Sequence, residues 1–286
     1  MIDSHTHGYY SYDSNADYKK MIDAAITAGL SGICFTDHYE YVPRNIGNWS
    51  APSYETDNFY GFEMNEYLSL IHSFAQDESL RNMSNHKDFK ILTGIEFGLY
   101  DTNMDKVSFA MDNYKFDTII GSIHYVPDAP DPYYPGYTQI KDKYAAYSAI
   151  LEQYIKLLPQ YPKINIMGHF DYVSRYSQNY ADRNMYYKDF PDHFDKLLTI
   201  ICERGISLEI NTSTYIKRDN YPPNILDTNI LKRYRELGGE LISIGSDAHK
   251  PENVAQGFDS MVDFLKDAGF RYLTHFEGGI PHMDEL

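Results

Sequence analysis

The chain has 286 residues and a mass of 33.2 kDa, and its 41 acidic against 25 basic side chains give a formal charge of −16 at pH 7. This net negative charge argues against a nucleic acid or an anionic membrane as the main partner. Hydrophobic residues make up 43% of the chain and aromatic residues 15%, a composition typical of a globular protein with a large core.

Short apolar segments alternate with segments of helical periodicity, which is typical of βα units around a parallel sheet. The predicted strands are residues 1–4, 32–36, 90–95, 117–123, 164–168, 206–210, 241–245 and, less regularly, 272–276. The first helix is predicted to begin after an N-cap at Ser14 and to stop at Gly29. Further helices are predicted at residues 62–80, 141–158, 192–204, 225–237 and 251–268. No linker or repeat interrupts this order, so residues 1–286 are expected to form a single α/β domain.

The first residues show no basic and apolar leader, and no run of about 18 apolar residues occurs anywhere. We therefore expect a cytoplasmic protein. Cys34 and Cys202 lie in apolar segments and are expected to be free, buried thiols. Two long connections, residues 39–60 and 125–137, are rich in tyrosine and proline, and long loops of this kind are often binding loops or lids.

Histidines and carboxylates cluster where the predicted strands end. They are His5, His7, Asp37, His38, Glu96, His124, His169, Asp247 and His249. All strands of a parallel barrel end at one face, so these side chains are expected to converge there. Imidazole and carboxylate ligands without cysteine suit a catalytic zinc, manganese or iron site. The other histidines are expected at the surface: His72, His86, His193, His275 and His282.

These motifs together resemble the polymerase-and-histidinol-phosphatase (PHP) family over nearly the whole chain. The segments that carry the resemblance are His-Thr-His at residues 5–7, Thr-Asp-His at 36–38, Glu96, Gly-Ser-Ile-His at 121–124, Gly-His at 168–169 and Gly-Ser-Asp-Ala-His at 245–249. Their order and the long loops most resemble the histidinol-phosphate phosphatase branch. The resemblance implies a distorted (β/α)7 TIM-like barrel with three divalent metal ions, Zn, Mn or Fe, at the C-terminal face of the strands.

The resemblance also implies which side chains bind the metals. The implied ligands are His5, His7 and Asp247 at a first ion, His124 and His169 at a second, Asp13, His38 and His249 at a third, and Glu96 bridging the first two. Many family members have a histidine where this chain has Asp13. That carboxylate could instead cap the first helix.

Two arginines are candidates for binding the substrate phosphate, because a guanidinium group matches phosphate oxygens with two parallel hydrogen bonds. Arg175 follows the His169 strand, where phosphatases of the family carry a comparable arginine. Arg218 follows the strand at 206–210. Either side chain could instead form an exposed ion pair.

The function that this resemblance implies is hydrolysis of L-histidinol phosphate to L-histidinol and phosphate in histidine biosynthesis. A hydroxide bridging two metal ions would be the nucleophile, and Asp247, His249 or a metal-bound water would protonate the leaving alkoxide. An acidic rim that includes Glu40, Asp128 and Asp131 could attract the cationic part of the substrate. The aromatic loops could stack on its imidazole ring or simply pack.

Three alternatives remain open from the sequence. The first is a PHP phosphoesterase for a phosphotyrosine protein or a nucleotide, and the second is a PHP module without activity that serves as a scaffold. The third is a barrel of the amidohydrolase type, but no lysine directly follows a predicted strand as that family would require. The sequence does not indicate an oligomeric state.

Overall fold

The computed structural model describes residues 1–41, 59–83, 88–101, 104–126, 132, 142–177, 179–217 and 222–286. In chain order its strands are β1 (Ile2–Thr6), β2 (Gly32–Phe35), β3 (His38–Tyr41), β4 (Phe59–Tyr60), β5 (Lys90–Gly98), β6 (Thr118–Ser122), β7 (Ile166–Met167), β8 (Ser207–Asn211), β9 (Ile242–Gly245), β10 (Tyr272–Glu277) and β11 (Ile280–Glu285). Its α-helices are α1 (Tyr18–Thr27), α2 (Met64–Gln76), α3 (Glu78–Asn82), α4 (Met104–Asn113), α5 (Lys143–Leu157), α6 (Tyr172–Tyr176), α7 (Pro191–Arg204), α8 (Thr228–Glu236) and α9 (Phe258–Asp267).

Seven parallel strands form a nearly closed barrel in the order β1-β2-β5-β6-β7-β8-β9. The open seam between β9 and β1 is bridged just beyond the strand ends. The backbone N–H of Asp247 donates to the carbonyl oxygen of His5, and the N–H of His7 donates to that of Ala248, both at 2.9 Å. The predicted distorted seven-stranded (β/α) barrel is therefore confirmed.

Strand β5 is longer than the others, and two strands pair with one of its edges in succession. Its first half pairs with β2 and its second half with β3, which sets His38 beside Glu96 in the ladder. The sequence did not predict β3, which lies in one of the long connections. Its consequence is that two polar side chains, His38 and Glu40, lie next to the C-terminal end of β5.

The first helix begins later than predicted. Asp17, rather than Ser14, is the N-cap of α1, and its carboxylate accepts hydrogen bonds from the backbone N–H groups of Lys19 and Lys20. The predicted stop is confirmed, because the helix ends at Thr27 and Gly29 follows with a φ of 74°. The last predicted helix is also shorter, since residues 251–253 form a separate 3₁₀ turn before α9.

The segment predicted as a possible eighth barrel strand lies in a different sheet. Strand β10 pairs antiparallel with β11 through a two-residue turn of Gly278 and Gly279, both with positive φ. This hairpin covers the end of the barrel where the strands begin. Phe276 packs there against Ile120 and Ile166, and the N–H of Gly278 donates to the Asp117 carboxylate just before β6.

The cysteines are free, with Cys34 buried and Cys202 partly buried. Among the described helices, none combines the length and the apolar composition that crossing a membrane would require.

Candidate metal centre

The carboxyl ends of the barrel strands bring the sequence-predicted side chains into one buried cluster. His5 lies within β1, His38 at the start of β3 and Glu96 within β5. The others follow strand ends directly: His7, His124, His169, Asp247 and His249. The predicted strands at 1–4 and 90–95 ended too early, because the structure extends β1 and β5 through ligand candidates whose side chains point into the barrel mouth.

Glu96 lies at the centre of the cluster and is fully buried. Its Oε2 is 2.9 Å from Nδ1 of His38, 3.2 Å from Nε2 of His5 and 3.6 Å from Nε2 of His7. Its Oε1 is 3.0 Å from Nε2 of His169 and 3.3 Å from Nε2 of His124. Because the two oxygens face different histidines, the carboxylate is oriented as a group that bridges two cations would be.

Asp247 extends this cluster on the β1 side. Its Oδ1 lies 3.2 Å from Nε2 of His7 and 3.6 Å from Nε2 of His5. Asp247 has a φ of 54°, an uncommon left-handed conformation for a residue other than glycine. Strained backbone of this kind is often found at functional sites, where the surrounding structure holds a side chain in place.

Asp13 faces two histidines of the cluster and does not cap a helix. Its Oδ2 is 3.2 Å from Nε2 of His249, and its Oδ1 is 3.7 Å from Nε2 of His38. The cap of α1 is Asp17, so the alternative role for Asp13 is wrong. The side chain of Asp13 is 42% exposed, which places it at the open mouth of the cluster.

The cluster contains buried polar atoms that lack hydrogen-bond partners among the described residues. They are His5 Nε2, His7 Nε2, His38 Nδ1, Glu96 Oε2 and His249 Nε2. Leaving such atoms unpaired is costly, and native proteins rarely do so. Groups of three ligand atoms within 4.8 Å of one another include His5, His7 and Glu96, and also Glu96, His124 and His169. Imidazole and carboxylate donors in this arrangement fit divalent metal ions.

The electrostatics keep the central carboxylates ionised. Burial raises the pKa of Glu96, but the adjacent His5 and His38 outweigh it and hold that pKa well below its usual range. Burial likewise raises the pKa of Asp247, and His5 and Arg175 bring it well below its usual range. Metal ligands must be deprotonated, so both carboxylates are in the form that binds a cation.

Arg175, on α6, reaches the edge of the cluster and is buried. Its Nε donates to Oγ1 of Thr214 and its Nη1 donates to Oδ2 of Asp247, both at 2.7 Å. Its Nη2 is buried and has no hydrogen-bond partner within the described part of the chain. The alternative of an exposed ion pair is therefore wrong for Arg175, whose ion pair with Asp247 is buried. Arg218 lies outside the described residues.

The predicted acidic rim is not confirmed. Glu40 is fully buried inside the cluster, with its Oε2 2.8 Å from Nδ1 of His124. Asp128 and Asp131 lie outside the described residues, as do most of the two aromatic loops. The prediction that His275 is a surface residue is also wrong, because it is 5% exposed within the β10–β11 hairpin.

Sequence reasoning missed Glu209, whose Oε1 is 2.6 Å from Nδ1 of His5. A signal was present, since this carboxylate stands in the otherwise apolar segment Ile-Ser-Leu-Glu-Ile at residues 206–210. A charged residue is almost never fully buried unless it is paired. Glu40 carries a weaker signal, because it lies in a predicted loop where acidic residues are common.

Comparison with known proteins gives a consistent picture. The PHP domain model matches residues 3–213. A Clostridium acetobutylicum protein named "Probable histidinol-phosphatase" is 26% identical over 271 residues, which cover 95% of each chain. The histidinol-phosphatase of Lactococcus lactis is 27% identical over 280 residues, which cover 97% of this chain and 94% of the relative. A crystal structure of histidinol phosphate phosphatase from L. lactis, complexed with zinc, L-histidinol and phosphate, matches with a TM-score of 0.81 and 25% identity over 98% of both chains.

Proposed function

The chain belongs to the PHP domain family, and on that premise we propose that it is a metal-dependent phosphatase that hydrolyses L-histidinol phosphate to L-histidinol and phosphate in histidine biosynthesis. One observation carries the substrate assignment: the match over nearly the full length of both chains to a phosphatase crystallised with zinc, L-histidinol and phosphate. The buried cluster of histidines and carboxylates supports the reaction class independently of that likeness.

We propose three divalent ions, Zn, Mn or Fe, in the cluster. A first ion would be held by His5, His7 and Asp247, a second by His124 and His169, a third by Asp13, His38 and His249, with Glu96 shared by the first two. The two Glu96 oxygens face different histidines, which supports its role as a ligand shared by two ions. The ligands come from β1 at one end of the chain and from the loop after β9 at the other, so residues 1–286 would act as one catalytic unit.

When bound, the ions would supply a hydroxide nucleophile near neutral pH and positive charge for the phosphoryl oxygens. The protein's own contribution is to position the phosphate. Nη2 of Arg175 is buried, has no partner within the described residues, and belongs to a side chain that already contacts Asp247. A guanidinium group fixed in this way can donate to a phosphoryl oxygen without losing further side-chain entropy.

The leaving alkoxide needs a proton. Of the candidates Asp247, His249 and a metal-bound water, we propose His249 or the water, because the pKa of Asp247 is held well below its usual range and leaves that carboxylate ionised. The His249 side chain is 25% exposed, so it can be reached from the open mouth of the cluster. The log of kcat plotted against pH for His249→Asn separates the two sources. Loss of the alkaline limb of the profile identifies His249, because a general acid must be protonated to act, and a retained limb identifies the water.

The experiment that tests the proposed substrate is a panel of phosphate monoesters with the metal-loaded protein. The panel contains L-histidinol phosphate, a phosphotyrosine peptide and a nucleoside monophosphate. We expect the highest kcat/KM with L-histidinol phosphate. Faster hydrolysis of either other ester would overturn the substrate, and zero or one bound metal ion without any hydrolysis would favour the scaffold alternative.

A further inference from the structure

Two buried carboxylates lie directly behind histidines of the cluster, on the side away from its centre. Glu209 projects from β8, and its Oε1 is 2.6 Å from Nδ1 of His5. Nε2 of the same imidazole faces Glu96, at 3.2 Å from its Oε2. Both His5 and Glu209 are almost completely inaccessible to solvent.

Glu40 has the same relation to a histidine on the opposite wall of the barrel mouth. Its Oε2 is 2.8 Å from Nδ1 of His124, whose Nε2 lies 3.3 Å from Oε1 of Glu96. Each imidazole is therefore held between an outer carboxylate at Nδ1 and the central carboxylate at Nε2. Glu209 and Glu40 project from different strands, so the barrel builds this arrangement twice.

The backbone makes room for both outer carboxylates. A Cβ atom on Gly245 would collide with Oε1 of Glu209 and with the Cβ of His5. A Cβ atom on Gly98 would collide with the side chain of Glu40. The absence of a side chain at these two strand ends is what allows each carboxylate to pack against its histidine.

We propose that Glu209 and Glu40 are positioning residues of the metal centre, which hold the Nδ1 side of His5 and His124 so that each Nε2 is presented to a metal ion. A carboxylate that accepts the Nδ1–H of a ligand histidine fixes its tautomer and ring orientation and makes Nε2 a stronger donor. The inference rests on the metal centre of the proposed function, and it assigns roles to two residues outside the nine proposed ligands.

The two carboxylates differ in what their remaining hydrogen bonds require. Oε2 of Glu209 accepts the backbone N–H of His169 at 2.5 Å, and Oε1 also accepts from Nδ2 of Asn211 at 3.1 Å. A backbone N–H can only donate. A glutamine at position 209 has one oxygen and one N–H₂ group in place of the two oxygens. Its N–H₂ group would face one of the N–H groups that now donate to Glu209, and that buried N–H would lose its acceptor.

Glu40 has a more adaptable second partner. Its Oε1 accepts the hydroxyl of Tyr12 at 3.0 Å. A tyrosine hydroxyl can donate or accept, so it can turn to receive a hydrogen bond from a glutamine amide. Glu209→Gln should accordingly impair the metal centre more than Glu40→Gln, although both substitutions remove one charge and keep the side chain's size.

The test measures zinc affinity, by competition with a chromophoric chelator, for the wild type, Glu209→Gln, Glu40→Gln and the control Glu277→Gln. The control removes a carboxylate from the hairpin at the other end of the barrel. We expect a 10- to 100-fold weaker affinity for Glu209→Gln, on the order found for partners of ligand histidines. We expect a smaller loss for Glu40→Gln and no change for the control. Cobalt-loaded samples should show a shifted d–d absorption band for both cluster variants and the wild-type band for the control.

Tyr12→Phe provides a second variant that keeps the fold, because the Tyr12 side chain is 40% exposed and its ring contact with His38 is retained. It removes only the hydroxyl that donates to Glu40, and we expect an affinity loss of about two- to tenfold. Wild-type zinc affinity and cobalt spectra in Glu209→Gln would overturn the proposal for Glu209. If that variant does not fold, unchanged values in both Glu40→Gln and Tyr12→Phe would overturn the general claim.

The two proposals can fail separately. A wild-type protein that binds zinc but leaves L-histidinol phosphate intact would refute the substrate and leave the positioning roles standing. A wild-type protein that hydrolyses the ester, with variants of unchanged zinc affinity, would refute the positioning roles alone.

Discussion

The two ends of the barrel both carry a cluster of histidines and carboxylates, and they differ in the burial of the carboxylates. At the mouth, several buried nitrogen and oxygen atoms without hydrogen-bond partners lie around the fully buried Glu96. At the opposite end, Nδ1 of His275 is also buried without a hydrogen-bond partner. His275 lies 3.1 Å from both Glu277 and Asp284, and Lys90 forms an ion pair with Glu277. The carboxylates there are partly exposed, and one already has a lysine as partner.

This difference shows which feature indicates a metal centre. The residue types alone do not identify one, because histidines and acidic residues occur at both ends of the barrel. The mouth is distinguished by a fully buried carboxylate whose two oxygens face separate sets of histidines. Five lining carboxylates, the three proposed ligands together with Glu40 and Glu209, would nearly neutralise three divalent ions. Arg175 is then an important source of positive charge for a phosphate.

The largest expected effect is at the centre of the mouth cluster. Glu96→Gln keeps the side chain's size but removes the charge that two proposed ions share. We expect kcat/KM for L-histidinol phosphate to fall by about 1,000-fold or more, because preorganised charge is the main source of catalysis in such a site. Metal analysis of the purified variant should show fewer bound ions. Wild-type activity and metal content in this variant would contradict the central role of Glu96.

The second-largest expected effect is on the stability of the protein, through a substitution in the β10–β11 hairpin. Phe276→Ala removes a buried ring that packs against Ile120 and Ile166. We expect the free energy of unfolding, measured with urea on the metal-free protein, to fall by about 3 kcal/mol. The number of metal ions bound by the folded protein should not change. A loss of metal ions from folded protein would show that the two ends are coupled.

A smaller effect is expected for the phosphate-positioning arginine. Arg175→Lys keeps a positive charge but cannot bond Thr214, Asp247 and a phosphoryl oxygen at once. Steady-state kinetics should show kcat/KM lower by about 10- to 100-fold, the cost of losing hydrogen bonds to a charged group. Arg233→Lys, at a partly exposed ion pair with Asp195, is the matched control and should leave the kinetics unchanged.

The smallest effect is the pH dependence of the hairpin cluster. The His275 imidazole, whose Nδ1 lies 3.1 Å from Oδ2 of Asp284, lowers the pKa of Asp284 below its usual value of 3.8, although partial burial opposes this shift. A carboxylate with a lowered pKa stabilises the fold above its unfolded-state value, and this contribution is lost as the pH falls through the folded-state pKa. Because the Asp284 side chain is 32% exposed, Asp284→Asn should cost less than about 1 kcal/mol at pH 7. Urea unfolding at pH 7 and pH 3.5 should show this difference shrinking at the lower pH. A difference that grows at pH 3.5 would contradict the assignment.

The barrel and most of the cluster could be predicted because their signals are local. Apolar segments mark the strands, and His7, His124 and His169 follow strand ends closely in sequence. The cap of the first helix has no such local signal. Asp13, Ser14 and Asp17 are all capping residue types, and only the structure shows that Asp17 accepts the first backbone N–H groups of the helix while Asp13 faces His38 and His249.

The hairpin and the outer carboxylates could not be predicted for a related reason. The sequence of strand β10 is similar to that of a barrel strand. Its partner β11 is mostly exposed, only half apolar and contains Pro281, so the antiparallel pairing has no clear apolar signal. The roles of Glu209 and Glu40 depend on pairings with His5 and His124, which are 204 and 84 residues away in the chain.

The most direct test of the central claim is a metal titration of the chelator-stripped protein during turnover of L-histidinol phosphate, with released phosphate as the readout. The convergent cluster predicts no phosphate release without metal and a rate that rises with added zinc or manganese and saturates at three ions per chain. Full activity in the stripped protein would contradict the claim, and so would three tightly bound ions with no phosphate release.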